Sequence, residues 1–265
     1  MKPADGDFSP IHNSQFTIHN FPMKSRLDLL LVARGLAATR AKAQAMILAG
    51  GVDVGGRRVD KAGTLVDSDA EIRLAEPAHP FVSRGGVKLA AALDHFRIDV
   101  AGQVCIDVGA STGGFTDCLL QRGAAHVYAI DVGYGQLDSK LRNDPRVIVR
   151  EKVNARFLRR EHVPEPAAFA ALDLSFISAR LVLPAVLPLL APGSSIVVLV
   201  KPQFEARREE VPRGGVIRSE EVRTRVREEA EAFGIGLGLE HLGSIPSPIE
   251  GARGNREFLL AFRVN

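Results

Sequence analysis

Tryptophan is absent from this 265-residue chain, and tyrosine occurs only twice. Extended aromatic stacking platforms are therefore scarce. The two cysteines, Cys105 and Cys118, cannot build a disulfide framework, and no metal-ligand spacing surrounds them. They read as packing residues of a reduced, cytoplasmic protein, with no metal expected. No apolar run approaches the roughly 18 residues of a membrane span, so no membrane partner is expected. Residues 1–22 lack the basic-then-apolar order of a signal peptide. They are expected to be a disordered tail, or an extension upstream of a start at Met23.

What is present is ordinary globular composition, 46% hydrophobic and 25% charged, with a net charge of +3 and a pI near 9.0. That length suits one large core plus a small module. The mild basic excess permits nucleic-acid binding without requiring it.

The first section, residues 23–78, reads as a helical hairpin followed by a small sheet. SRLDLLLVARG predicts a helix that Ser25 can cap and Gly35 ends, and Arg40 to Ala49 predicts a second, closed by Gly50 and Gly51. Short strands separated by turn signals follow. Between Met23 and Lys61, eight basic residues face three acids. Among the eight, Arg26, Arg34, Arg40, Lys42, Arg57 and Arg58 are the candidate RNA contacts, because clustered cations neutralise phosphates. A linker is expected at 79–86, where proline and glycine concentrate.

From residue 87 to 265, apolar runs alternate with helical segments: VCIDVG, HVYAIDVG, RVIVRE, FAALDLS, SIVVLVK and FLLAFRV. Strands joined by helical crossovers predict an α/β, doubly wound, Rossmann-like domain behind the small α+β module. LEHLGSIPSP and REFLLAF are expected to form an antiparallel pair at one edge.

CIDVGASTGGFTDCLL, beginning at Cys105, combines a strand end, a glycine-rich turn and a helix start. In doubly wound sheets, ligands bind beyond the carboxyl ends of the strands. Asp131 stands 22 residues beyond Gly109, where a carboxylate accepts ribose hydroxyls. GASTGG is not the G-x-G-x-x-G of dinucleotide enzymes, and Asp107 before the first glycine disfavours a pyrophosphate. S-adenosylmethionine, with a ribose, an ammonium and a sulfonium but no phosphate, fits better than NAD. Asp107 is expected to face that cationic ligand. On the acceptor side, Asp173 and Lys201 each follow an apolar run. Together at neighbouring strand ends they point to a site; composition and spacing alone do not place Lys88 or Glu257 there.

VSRGGVKL, the long DVGASTGGFTDCLLQRGAAHVYAIDVGYG stretch, NAR, DLSFIS, VKPQFE and GNREFLL together resemble the TlyA family. Its members are ribosomal RNA ribose 2′-O-methyltransferases, often labelled haemolysins, with an FtsJ-like catalytic domain and an amino-terminal module resembling the small RNA-binding fold of ribosomal protein S-four. The resemblance implies a catalytic tetrad on Lys88, Asp173, Lys201 and Glu257, with Lys201 nearest the activated hydroxyl and Asp173 orienting it. It implies an S-adenosylmethionine site formed by Asp107, Gly109, Ala110, Ser111, Thr112, Gly113, Gly114, Phe115, Asp131, Val132, Asn154 and Asp173. It implies ribosomal subunits as partners and a cytidine in 23S, or also 16S, rRNA as substrate; no oligomer is implied. Some relatives carry Arg-x-Trp-Val in the linker, where this chain has HPFV with Phe81 at the Trp position. Relatives acting on both subunits tend to have an extra carboxyl tail, while this chain stops at Asn265. The choice of subunit stays open. The rival readings are a membrane-active haemolysin, for which the sequence holds no span or secretion signal, and a non-catalytic ribosome-assembly factor.

Overall fold

The computed structural model describes residues 24–37, 39–48, 50–74, 79–251 and 254–265. Residues 1–22 lie outside them. The chain divides into two compact units, residues 1–78 and 79–265.

The first unit holds β1 (Lys24–Arg26), α1 (Leu27–Ala33), α2 (Arg40–Leu48), β2 (Val52–Val54), β3 (Arg57–Arg58), β4 (Leu65–Asp67) and β5 (Ile72–Leu74). β1 pairs with β4, and β3, β2 and β5 form a second small sheet. Leu27, Leu31, Ala43, Ile47 and Val52 form its core. Ser25 does not cap α1; it sits in β1 opposite Val66. The helix does not need it. The Leu27 and Asp28 amides donate to the Thr64 and Ala62 carbonyls, which satisfies amides that a cap would otherwise serve. Gly35, at φ +69°, turns the chain out of α1, and Gly50, at φ +70°, turns it out of α2.

The second unit is a seven-stranded sheet. It contains α3 (Gly85–Phe96), β6 (Val104–Val108), α4 (Gly114–Gln121), β7 (His126–Ile130), α5 (Ser139–Arg142), β8 (Val147–Arg150), β9 (Ala167–Leu172), α6 (Leu183–Val186), β10 (Leu190–Val200), α7 (Pro202–Glu205), α8 (Glu220–Gly236), β11 (Glu240–Pro246) and β12 (Phe258–Arg263). The order is β11-β12-β10-β9-β6-β7-β8. β6 to β10 run parallel. β12 runs antiparallel between β10 and β11, so only β11 is the edge strand of the expected pair. Alternate residues feed two cores: Ile106, Ile130, Leu172 and Val198 on one face, Cys105, Val127, Ala171 and Val197 on the other. The glycine-rich stretch expected as a linker belongs to this unit. Gly85 already opens α3, and Phe81 and Val82 pack on the second core. The Val82 amide donates to the buried Asp117 carboxylate over 2.8 Å.

Candidate active site

Strand order reverses between the parallel neighbours β6 and β9, and there doubly wound sheets bind their ligands. Each strand ends on an expected site residue: Gly109 follows Val108, and Asp173 follows Leu172, paired with it in register. Gly109, at φ +90°, is required at this crossing, because a Cβ would lie 2.4 Å from the Asp173 carbonyl oxygen. A cleft of about 340 Å³ opens above, lined by Gly109, Ala110, Ser111, Thr112, Gly114, Phe115, Lys88 and Asp173. Ser83, Arg84, Gly85 and Gly251 complete it. Those four were not singled out from the sequence, although the double glycine before Lys88 was a signal.

Asp131 does not line the cleft directly; it shapes the turn. Its Oδ2 accepts the Ser111 amide over 2.8 Å and its Oδ1 the Gly133 amide over 2.6 Å. Each oxygen keeps a lone pair for a ribose hydroxyl. Ser111, at φ +49°, is held in the left-handed region by this contact. Val132 stands exposed beside it, and Asn154 Oδ1 accepts the Arg156 amide. Gly113 lies behind the turn, where a Cβ would collide with Leu141.

Asp107 does not face the cleft. It is fully buried under the turn, its Oδ2 accepting the Thr116 hydroxyl over 2.6 Å. Oδ1 has no hydrogen-bond partner among the described residues. Burial, which disfavours the charged form, pushes its carboxyl up to about 7. The sequence placed it at a strand end but not on which face.

The four tetrad residues form two ion pairs. Lys88 Nζ lies 2.5 Å from Glu257 Oε2, both side chains buried. Lys201 Nζ lies 2.5 Å from Asp173 Oδ1 and donates to Ser175 Oγ over 3.2 Å. Lys201 follows β10 and Asp173 follows β9, the neighbouring parallel strand. Glu257 precedes β12, whose antiparallel course returns its amino end to the carboxyl end of β10, with Phe258 opposite Val200. Gly251 closes the remaining gap, since a Cβ there would lie 2.0 Å from Glu257 Oε1. One member of each pair, Lys88 and Asp173, thus lines the cleft beside an acid-held glycine turn. Such a constellation suits transfer of an activated group to a weakly acidic hydroxyl.

In the first unit, Arg26 and Arg40 both bind the buried carboxylate of Asp28, at 3.0 and 2.9 Å. These contacts hold that carboxyl well below its ordinary range. Arg34 donates to the Ala70 and Ser68 carbonyls. Arg26, Arg34 and Arg40 therefore also brace the module internally; Lys42, Arg57 and Arg58 are exposed.

A doubly wound sheet with such a turn and such a tetrad defines a Rossmann-like methyltransferase. Residues 81–264 match the FtsJ-like methyltransferase family and residues 25–72 the S4 domain. The chain belongs to the FtsJ-like methyltransferases, and within them to the TlyA group. It is 45% identical over 242 residues to the 16S/23S rRNA (cytidine-2′-O)-methyltransferase TlyA of Mycobacterium tuberculosis, covering 91% of this chain and 90% of that protein. It is 43% identical to Hemolysin A of Brachyspira hyodysenteriae, covering 90% and 100%. A solved structure from Streptococcus thermophilus, labelled a hemolysin, superposes with a TM-score of 0.73 at 42% identity, covering 92% and 90%. Among the described residues, no helix is long and apolar enough to cross a membrane.

Proposed function

We propose that this protein transfers the methyl group of S-adenosylmethionine to the ribose 2′-hydroxyl of a cytidine in ribosomal RNA, in the cytoplasm. The observation that carries this reading is that Lys88, paired with Glu257, and Asp173, paired with Lys201, both line the cleft beside the glycine turn.

The donor set fits the cofactor. The Ser111 amide, which a pyrophosphate would need, is engaged by Asp131. Carboxylates at Asp131 and Asp173 repel a phosphate and attract a cation. Bound there, S-adenosylmethionine supplies an electrophilic methyl on a sulfonium. Asp131 is the ribose acceptor, and Gly109 to Thr112 form the floor.

The ribose hydroxyl is a poor nucleophile, so the residues act on it. Lys201 meets the oxygen and stabilises its developing negative charge. Asp173 and Ser175 hold the lysine in line. The hydroxyl proton would pass to the Asp173 carboxylate of the Lys201–Asp173 pair as the oxygen takes the methyl that the cofactor would supply. Lys88 and Glu257 supply a neutral, buried wall that keeps the arrangement fixed. Arg26, Arg34, Arg40, Lys42, Arg57 and Arg58 of the amino-terminal unit are the RNA phosphate contacts we assign.

The test is methyl transfer from labelled S-adenosylmethionine to separate 30S and 50S subunits, followed by mapping of the modified nucleotide. Labelled 2′-O-methylcytidine in one or both subunits is the expected result. Absence of transfer to either, with the cofactor bound, overturns the reading; lysis of liposomes by the same protein would favour the haemolysin label.

A further inference from the structure

The buried carboxylate of Glu205 lies outside the tetrad yet ties together the two loops that carry half of it. Glu205 ends α7, four residues after Lys201. Its side chain is 4% exposed. Oε1 accepts the Ala179 amide over 2.6 Å, and Oε2 accepts the Ser178 hydroxyl over 2.5 Å and Arg180 Nε over 3.3 Å. Arg180 Nη2 returns a bond to the Glu205 carbonyl over 3.1 Å. All of these donors lie at the far end of the loop that begins at Asp173.

That loop departs from relaxed geometry. Phe176 sits at φ +65° although it carries a Cβ, a conformation that persists only where surroundings impose it. Its near end is fixed by the Asp173 amide, which donates to the Val108 carbonyl over 3.0 Å. Its far end is fixed by Glu205. Between these anchors lie Asp173 and Ser175, the two partners of Lys201.

We infer that Glu205 is a positioning residue for methyl transfer. Its carboxylate latches residues 178–180 to α7, and so holds Asp173 and Ser175 against Lys201. The inference rests on the methyl-transfer reading for its catalytic consequence but not for the latch itself. Displacing a reacting group by about 1 Å can cost on the order of 100-fold in rate. Loss of the latch should therefore lower the chemical step and leave ligand binding alone.

The experiment uses the full chain with Glu205→Gln, which keeps the shape but turns one acceptor into a donor. Amide exchange comes first. In the variant, residues 174–180 should exchange at least about tenfold faster, while β9 and β10 hold their rates. Unchanged exchange in that loop overturns the latch, whatever the protein methylates. Then single-turnover methylation of ribosomal subunits is measured at saturating S-adenosylmethionine. A fall of about 10- to 100-fold, with cofactor and RNA affinities within twofold of wild type, is the expected result. A rate within twofold of wild type overturns the positioning role. If Glu205→Gln loses cofactor affinity through misfolding, Ser178→Ala decides. That variant removes the hydroxyl's bond to Glu205 and the bond it accepts from the Arg180 amide, while the Ala179 amide and the Arg180 guanidinium still hold the carboxylate. A several-fold slower rate at unchanged affinity supports the inference, and an unchanged rate overturns it. Failure of the wild-type chain to methylate rRNA counts against the proposed function alone, because the exchange result still judges the latch.

Discussion

Lys88 Nζ and Glu257 Oε2 lie 2.5 Å apart across a separation of 169 residues, and both side chains are buried. Removing one partner of a buried pair leaves the other charge uncompensated, which typically costs about 3–5 kcal/mol. Glu257→Ala should destabilise the protein by about that amount. Replacing both partners by apolar residues of similar volume, Lys88→Met with Glu257→Leu, should cost less than either single change. Urea unfolding of the three variants checks this; a double variant weaker than both singles would count against a buried ionic contact.

Lys201→Ala should abolish methyl transfer while leaving cofactor affinity nearly intact. Removing a donor that stabilises a developing oxyanion typically costs about 100- to 1,000-fold. Lys201→Arg should not rescue, because a planar guanidinium differs in shape from the ammonium held between Asp173 and Ser175. Single-turnover methylation at saturating cofactor measures both variants, and near-normal rates would remove Lys201 from the chemistry.

Asp131→Ala should weaken S-adenosylmethionine binding by about 1.5–3 kcal/mol, the range for a charge-assisted hydrogen bond. It should weaken binding more than it slows the chemical step. Two effects add: the ribose acceptor is lost, and the Ser111 and Gly133 amides lose the carboxylate that shapes the turn. Calorimetry gives the affinity directly.

Asp107 should impose a pH dependence on stability. Its native carboxyl titrates near 7, against an ordinary value of 3.8. Between those values the folded protein holds a proton that the unfolded chain has released. The stability contributed by the protonated form is therefore full below about pH 4 and is lost as the pH rises towards 7, with a size on the order of a few kcal/mol. Asp107→Asn keeps an oxygen for the Thr116 hydroxyl and cannot ionise. Urea unfolding at pH 5 and pH 8 should show a smaller difference for the variant than for wild type.

The second unit was legible because buried parallel strands are apolar on both faces. A charged residue in or after such a run, as at Asp107, Asp173 and Lys201, marks where the chain leaves the core. Facing is a different matter. The same pattern brought Asp107 to the turn and could not say that Thr116, rather than a ligand, takes its carboxylate. Ser83, Arg84 and Gly251 enter the cleft through contacts distant in sequence. β1 is three residues long and carries two charges, too short for an alternation to be seen. The internal partners of Arg26, Arg34 and Arg40 likewise depend on tertiary contacts that charge counting does not include.

β12 enters the sheet after its neighbour β10 and runs against it, and this has a consequence for synthesis. Translation delivers Lys88, Asp131, Asp173 and Lys201 well before Glu257. Lys88 has no counter-ion until Glu257, which precedes β12, emerges and that strand inserts. Pairing over such a separation is slow to form. The Lys88–Glu257 pair therefore forms only once β12 has inserted beside β10, after the other residues of the cleft are in place.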